Sequence, residues 1–145
     1  MDVNKEKDIL LAEDDNDDVL IFDLAMQQTD IAYTMRHAEN GDMLFVLLKE
    51  QIPYILFLDI QMPCKDGLAC IGEIRKNKSY DNLPVIMYTS NMSNKIMEEC
   101  FRTGANFYMT KTTTLNSLVE KLKKIFAIDW SDYLHYPPQN QFVLS

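Results

Sequence analysis

The sequence predicts an α/β fold of five strands alternating with five helices, and three observations carry that prediction. Short apolar runs recur along the chain. The clearest, Tyr54-Ile55-Leu56-Phe57-Leu58, is rich in large side chains, as a strand buried on both faces must be. Between the runs, apolar residues return every three or four positions, the period of a helix with one buried face. The runs end in polar residues: Glu13 and Asp14, Asp59, Thr89 and Ser90, and Lys111. An open parallel sheet binds its ligands at the carboxyl ends of its strands, so these residues mark a candidate site.

The first strand, Ile9-Leu10-Leu11-Ala12, runs into Glu13-Asp14-Asp15. From Asp17 to Gln28, Val19, Phe22 and Met26, with Leu20 and Leu24, keep helical spacing, and Asn16 is placed to cap that helix. Ile31 to His37 alternates, with Ile31, Tyr33 and Met35 on one side, as a half-buried second strand would. Asn40-Gly41 breaks the chain before a helix carrying Met43, Leu44, Leu47 and Leu48, which stops before Pro53. The third strand is the run from Tyr54, and it delivers Asp59. Gln61-Met62-Pro63-Cys64-Lys65-Asp66-Gly67 is a loop by its Pro and Gly. Leu68 to Lys76 is a helix facing inward through Leu68, Ile71 and Ile74. After a polar loop from Asn77 to Asn82 comes the fourth strand, Leu83 to Tyr88, where Pro84 is tolerated only at the start. Ser93 caps a helix bearing Ile96, Met97, Cys100 and Phe101, closed by Gly104. Asn106 to Met109 is the fifth strand, ending at Thr110-Lys111. Leu115, Leu118, Val119, Leu122, Ile125 and Phe126 make the last helix.

Alternation at this pitch implies right-handed βαβ units and one parallel sheet covered on both faces. The expected architecture is a flavodoxin-like (βα)5 three-layer sandwich with strand order 2-1-3-4-5, whose switch point lies between the first and third strands. Residues 1–128 make one domain. Residues 129–145 change character, with Trp130, Tyr133, Tyr136, Pro137-Pro138 and Phe142, and are too short for a second domain, so no output domain is expected. That aromatic tail either packs on its own domain, lacks order, or docks a kinase, another partner or a second protomer.

The formal net charge of −8 argues against nucleic acid as a partner. No apolar stretch approaches the roughly 20 residues of a membrane span, and the polar N-terminus carries no signal-peptide pattern. The three cysteines, Cys64, Cys70 and Cys100, have no metal-ligand spacing and read as reduced thiols of a cytoplasmic protein.

In the proposed fold the strand-end residues converge on one crevice. Three carboxylates there, Glu13, Asp14 and Asp59, repel one another unless a cation intervenes. An oxygen-only donor set suits a hard ion such as Mg²⁺. Lys111 adds a positive charge to hold phosphoryl oxygens or the Asp59 carboxylate, and Thr89 offers a hydroxyl hydrogen bond. A carboxylate can attack a phosphoryl group to form an aspartyl-phosphate, and charge neutralisation is most of what that transfer needs. In isolation the same acids, with Asp17 and Asp18, would read as a solvated helix start.

Taken in order, Glu13-Asp14, Asp59-x-x-Met62-Pro63-x-x-Asp66-Gly67, Thr89 and Lys111 resemble the receiver domain of two-component response regulators. The intervals from Asp59 to Thr89 and from Thr89 to Lys111 match too, and the resemblance spans residues 6 to 128. It implies that Asp59 is the phosphoacceptor, loaded from a phosphohistidine on a sensor histidine kinase or a histidine phosphotransfer protein. It implies Asp14 as direct Mg²⁺ ligand, Glu13 as the second acid, often acting through water, and Gln61 as the donor of a backbone carbonyl to the metal. Lys111 is the expected lysine, Thr89 the switch hydroxyl and Tyr108 the switch aromatic. Gln61 and Asn91 stand where family members tune phosphoryl lifetime. Output would pass to a downstream protein through the face of the fourth helix, fifth strand and fifth helix, the face that would also serve a homodimer. Single-domain members resembling chemotaxis regulators, or those paired with phytochrome-like kinases, are the expected relatives.

One departure stands out. Family members usually carry proline after the lysine, in a cis bond, whereas Thr112 follows Lys111. A non-proline cis bond costs about 2.5–4 kcal/mol, so either a trans bond with a shifted loop or a strained cis bond is expected. Two rival readings are a pseudo-receiver that binds without being phosphorylated, and an aspartate-based phosphatase of the haloacid-dehalogenase type. The second requires an acid two residues after the nucleophile, where this chain has Gln61.

Overall fold

A computed structural model describes residues 6–111, 114–130 and 139–144. In chain order the elements are β1 (Lys7–Ala12), α1 (Asn16–Gln27), β2 (Tyr33–Ala38), α2 (Gly41–Glu50), β3 (Ile55–Leu58) and α3 (Gly67–Lys76). A 3-10 turn at Lys78–Tyr80 leads to β4 (Val85–Thr89), α4 (Asn94–Thr103), β5 (Phe107–Thr110) and α5 (Leu115–Phe126). A short α6 (Gln139–Phe142) and β6 (Val143–Leu144) follow. The strands make one parallel sheet in the order β2-β1-β3-β4-β5-β6. The five-strand order expected from the sequence is present, and the tail adds a sixth strand on the edge of β5.

Strand periodicity divides the core in two. Leu10, Leu56, Leu58, Val85 and Met87 point to one face, where they meet Leu44 and Leu48 of α2, Ile71 and Ile74 of α3, and Cys100 of α4. Their neighbours Ile9, Leu11, Ile55, Phe57 and Ile86 point to the other, against Phe22 and Met26 of α1 and Leu118, Leu122 and Ile125 of α5. Every residue of β3 is fully buried. At about 1.5–3 kcal/mol for each large apolar side chain removed from water, this strand anchors both layers.

The helices start where side chains satisfy their first amides. Asn40, Asp66, Ser93 and Thr114 cap α2, α3, α4 and α5, each accepting a backbone N–H from the first turn. Gly104 closes α4 at φ 116, a conformation that costs only glycine little. The cap of α1 is Asp15, whose carboxylate accepts the amides of Asp17 and Asp18, and Asn16 is the first helical residue rather than the cap.

Three other expectations shift. Leu20 and Leu24 are exposed, because they sit half a turn from Phe22, which faces the sheet. Tyr54 lies outside β3 at the surface, its ring stacked on Phe126 and under the Lys7 ammonium. The second strand begins at Tyr33, since the chain turns at Asp30 with φ 63. The bond after Lys111 falls outside the described residues, as do Tyr133, Tyr136 and Pro137-Pro138 of the tail.

The described part of the tail packs on its own domain. Val143 and Leu144 pair in register with Tyr108 and Met109. Phe142 is 1% exposed, with its ring 5.3 Å from Phe101 of α4 and 6.1 Å from Tyr108 of β5. Phe142→Ala is expected to cost about 2 kcal/mol from lost burial, a melting-temperature drop of roughly 4–8 °C by circular dichroism. An unchanged melting temperature would show that this docking contributes nothing in solution.

Candidate functional site

The strand order builds the site. Because β1 and β3 are neighbours, with Ala12 opposite Leu58, their next residues Glu13 and Asp59 emerge side by side. The Asp59 amide donates to the Ala12 carbonyl at 3.0 Å, and the Glu13 amide to the Ala38 carbonyl at 2.9 Å. Both carboxylates are buried, whereas Asp14 is exposed at the mouth. On the other side, the Lys111 amide donates to the Thr89 carbonyl at 2.8 Å, which starts the lysine on its path back over the sheet. The crevice of about 180 Å³ is lined by Glu13, Asp14, Asp15, Asp18, Asp59, Gln61, Ser90 and Lys111.

The Lys111 ammonium is the centre of charge. Its Nζ lies 2.7 Å from Glu13 Oε2, 2.8 Å from Asp18 Oδ2 and 3.0 Å from Asp59 Oδ2. Burial works to lower the lysine's pKa, but the hydrogen bonds its ammonium donates to Asp18, Glu13 and Asp59 overcome it and hold the group above its ordinary value. Glu13 is pushed up to about 7, chiefly by burial, with the Asp59 charge adding to the rise and Lys111 opposing it.

Glu13, Asp14 and Asp59 each offer a carboxylate oxygen, and these oxygens lie within 4.8 Å of one another. The donor set fits a hard divalent cation, and a buried carboxylate whose ionised form is disfavoured gives such a cation something to stabilise. Gln61 sits at the rim, its amide donating to Asp59 Oδ1 at 3.4 Å.

Not every expected residue faces the crevice. Thr89 is buried and its hydroxyl accepts the Asn91 amide at 3.3 Å, so it is Ser90 that lines the opening. Tyr108 is fully buried, and its hydroxyl donates to the Asn91 carbonyl at 2.6 Å. Asn91 thus joins the expected switch hydroxyl to the expected switch aromatic through its own backbone. Its side chain accepts the Ser93 amide at 2.8 Å.

Two residues of the site are absent from the sequence expectation. Asp18 lies in the first turn of α1, where with Asp17 it reads from sequence only as part of a solvated helix start. His37 reads as a surface residue of the second strand, yet its Nε2 donates to the Glu13 carbonyl at 2.6 Å. Nothing in sequence spacing pairs those two, because the contact runs between neighbouring parallel strands.

Gly67 is required by close approach. A Cβ there would lie 2.2 Å from the Asp59 carbonyl oxygen and 2.8 Å from Ile60 Cα, both backbone atoms. The Gly67 amide donates to the Ile60 carbonyl at 2.8 Å, which ties the start of α3 beneath Asp59.

Comparison with known proteins agrees with this geometry. The family model of the response regulator receiver domain matches residues 9–123. The transcriptional regulatory protein KdpE of Staphylococcus aureus is 29% identical over 120 residues, covering 83% of this chain and 50% of KdpE. Response regulator Rcp1 of Synechocystis is 25% identical over 141 residues, covering 92% of this chain and 95% of Rcp1. The phosphorylated cyanobacterial phytochrome response regulator RcpA shares the fold, with a TM-score of 0.78 at 21% identity over 92% of this chain and 100% of RcpA. The chain therefore spans half the length of KdpE and nearly all of Rcp1.

Two outcomes follow from the site. Gly67→Ala is expected to push the loop after β3 away and cost roughly 1–3 kcal/mol, as overpacking against backbone does; a urea melt measures it, and wild-type stability would contradict the close approach. For Glu13, the folded-state pKa near 7 exceeds the ordinary 4.5, so the folded state favours the protonated form. Its stabilising contribution is complete below about 4.5 and lost as pH rises through 7. Urea melts of metal-free protein compared with Glu13→Gln are expected to show that pH dependence removed in the variant.

Proposed function

The chain belongs to the response regulator receiver family, and on that premise we propose that Asp59 accepts a phosphoryl group from a phosphohistidine. The donor would be a sensor histidine kinase or a histidine phosphotransfer protein. The observation that carries this reading is Lys111 Nζ at 3.0 Å from Asp59 Oδ2, in the same crevice as Glu13 and Asp14.

In the transfer, an Asp59 carboxylate oxygen attacks phosphorus. The new P–O bond forms as the P–N bond to the donor imidazole breaks, and the bonding pair returns to the ring. Asp59 needs no general base, because a carboxylate has no proton to lose before it attacks. Lys111 would move its hydrogen bond from Asp59 to a phosphoryl oxygen. Glu13, Asp14 and Asp59, with the Gln61 backbone carbonyl, would hold Mg²⁺, which supplies charge neutralisation for the transferring group. Receiver domains are signalling modules, so one loading event, ended by slow hydrolysis, is the expected chemistry rather than turnover.

The route outward is the Thr89–Asn91–Tyr108 connection. A Thr89 hydroxyl that turns to a phosphoryl oxygen gives up the Asn91 amide, and the Asn91 carbonyl holds Tyr108. Signalling would then be a population shift between two packings of α4, β5 and α5, read by a downstream protein. Phe142 and Val143 already cover part of that face, and a downstream protein or second protomer would meet them there.

Intact mass after incubation with acetyl phosphate and Mg²⁺ tests the reading. One phosphoryl adduct is expected on wild type, lost on chelation of the metal and absent from Asp59→Asn. No adduct on wild type would favour the pseudo-receiver, and steady multi-turnover hydrolysis of p-nitrophenyl phosphate would favour the phosphatase.

A further inference from the structure

We propose that Asp18 is a positioning residue for Lys111, holding its ammonium over Asp59 from the first turn of α1. The inference rests on the phosphoacceptor reading above. Lys111 lies just past the end of β5, and its side chain is a flexible four-carbon stem. Such a stem has many rotamers, so contacts at the ammonium must fix its aim. An ammonium has three N–H bonds, and three carboxylates meet it here, one each from the segments after β1 and β3 and one from α1.

The three are not equivalent. Glu13 and Asp59 belong to the group close enough to share one cation, and Asp59 would also carry the phosphoryl group. Both are therefore engaged elsewhere once the site is loaded. Asp18 stands outside that group and is free to keep its bond to Lys111 throughout. It is also well seated. The Asp15 carboxylate accepts the Asp18 amide, and α1 is pinned to the sheet by Phe22, Ala25 and Met26. Its side chain is only 27% exposed, whereas Asp17, in the same turn, is exposed. The ammonium also lies over the Tyr88 ring, 5.6 Å from its centroid.

An acid in the first turn of a helix also interacts with the helix dipole, and that role would be purely structural. The two are separable by comparing Asp18→Ala, Asp18→Asn and Asp17→Ala. Asparagine keeps an acceptor oxygen for Lys111, and alanine does not. At saturating Mg²⁺ and acetyl phosphate, Asp18→Ala is expected to slow phosphorylation about tenfold, the rate equivalent of one charge-assisted hydrogen bond. Asp18→Asn should stay within about threefold of wild type, and Asp17→Ala should match it.

A second readout needs no phosphorylation. The ¹⁵N ammonium resonance of Lys111, assigned with Lys111→Arg, should be visible in metal-free wild type because its protons are held. It should vanish in Asp18→Ala and persist in Asp18→Asn. Equal slowing in the Ala and Asn variants would mean that charge alone matters, and would overturn the positioning role. So would a wild-type rate, or an intact ammonium signal, in Asp18→Ala. If wild type formed no adduct, the phosphoacceptor reading would fail, while the ammonium signal would still decide whether Asp18 holds Lys111.

Discussion

A single ammonium held among three carboxylates is the interaction on which the carboxyl end of this sheet depends. Glu13 and Asp59 are buried, and a buried carboxylate without a partner costs several kcal/mol. Strand order creates that difficulty, since neighbouring β1 and β3 both end in an acid. The same topology supplies the remedy, because the chain leaving β5 is close enough for a long lysine to reach back across β4. One positive charge does not balance Glu13, Asp14, Asp18 and Asp59 together. The site is thus left with an excess of negative charge, which a divalent cation would offset, and it is built of oxygen donors that such a cation prefers.

Behind the charges lies a continuous line of contacts. The Thr89 hydroxyl meets the Asn91 amide, the Asn91 carbonyl meets the Tyr108 hydroxyl, and the Tyr108 ring meets Phe142. A line of contacts becomes a coupling only when both ends bias the same two packings. Helix α4 is suited to that, because Cys100 is its one fully buried residue. Helix α5, by contrast, buries Leu118, Val119, Leu122 and Ile125. The element beside the site that has least to lose by shifting is the one that Asn91 precedes and that Phe142 leans on through Phe101.

Local signals made much of the fold legible. The alternation of the apolar runs 9–12, 55–58 and 85–88 with periodic helices dictates a parallel sheet, and the acids and lysine at strand ends mark where its crevice lies. Each of those is a property of a short stretch: a period, a cap, a residue at the end of an apolar run. Asp59 and Lys111 were legible for that reason, as were Ser93 and Gly104 at the ends of α4. The inward turn of the Thr89 hydroxyl, the exposure of Leu20 and Leu24, and the pairing of His37 with the Glu13 carbonyl were not.

The sequence by itself determined which residues could meet at the switch point, because hydrophobic period and strand-end chemistry are written in consecutive residues. Tertiary structure alone decided how they share charge. Asp18 became a partner of Lys111 only when α1 settled on the sheet and brought its first turn over the crevice, 93 residues away in the chain. Phe142 found its place beside Tyr108 only when the edge of β5 was left unpaired for β6 to join. Both are contacts between distant segments, set by packing and by the need to neutralise buried charge, and neither leaves a periodic trace in the sequence.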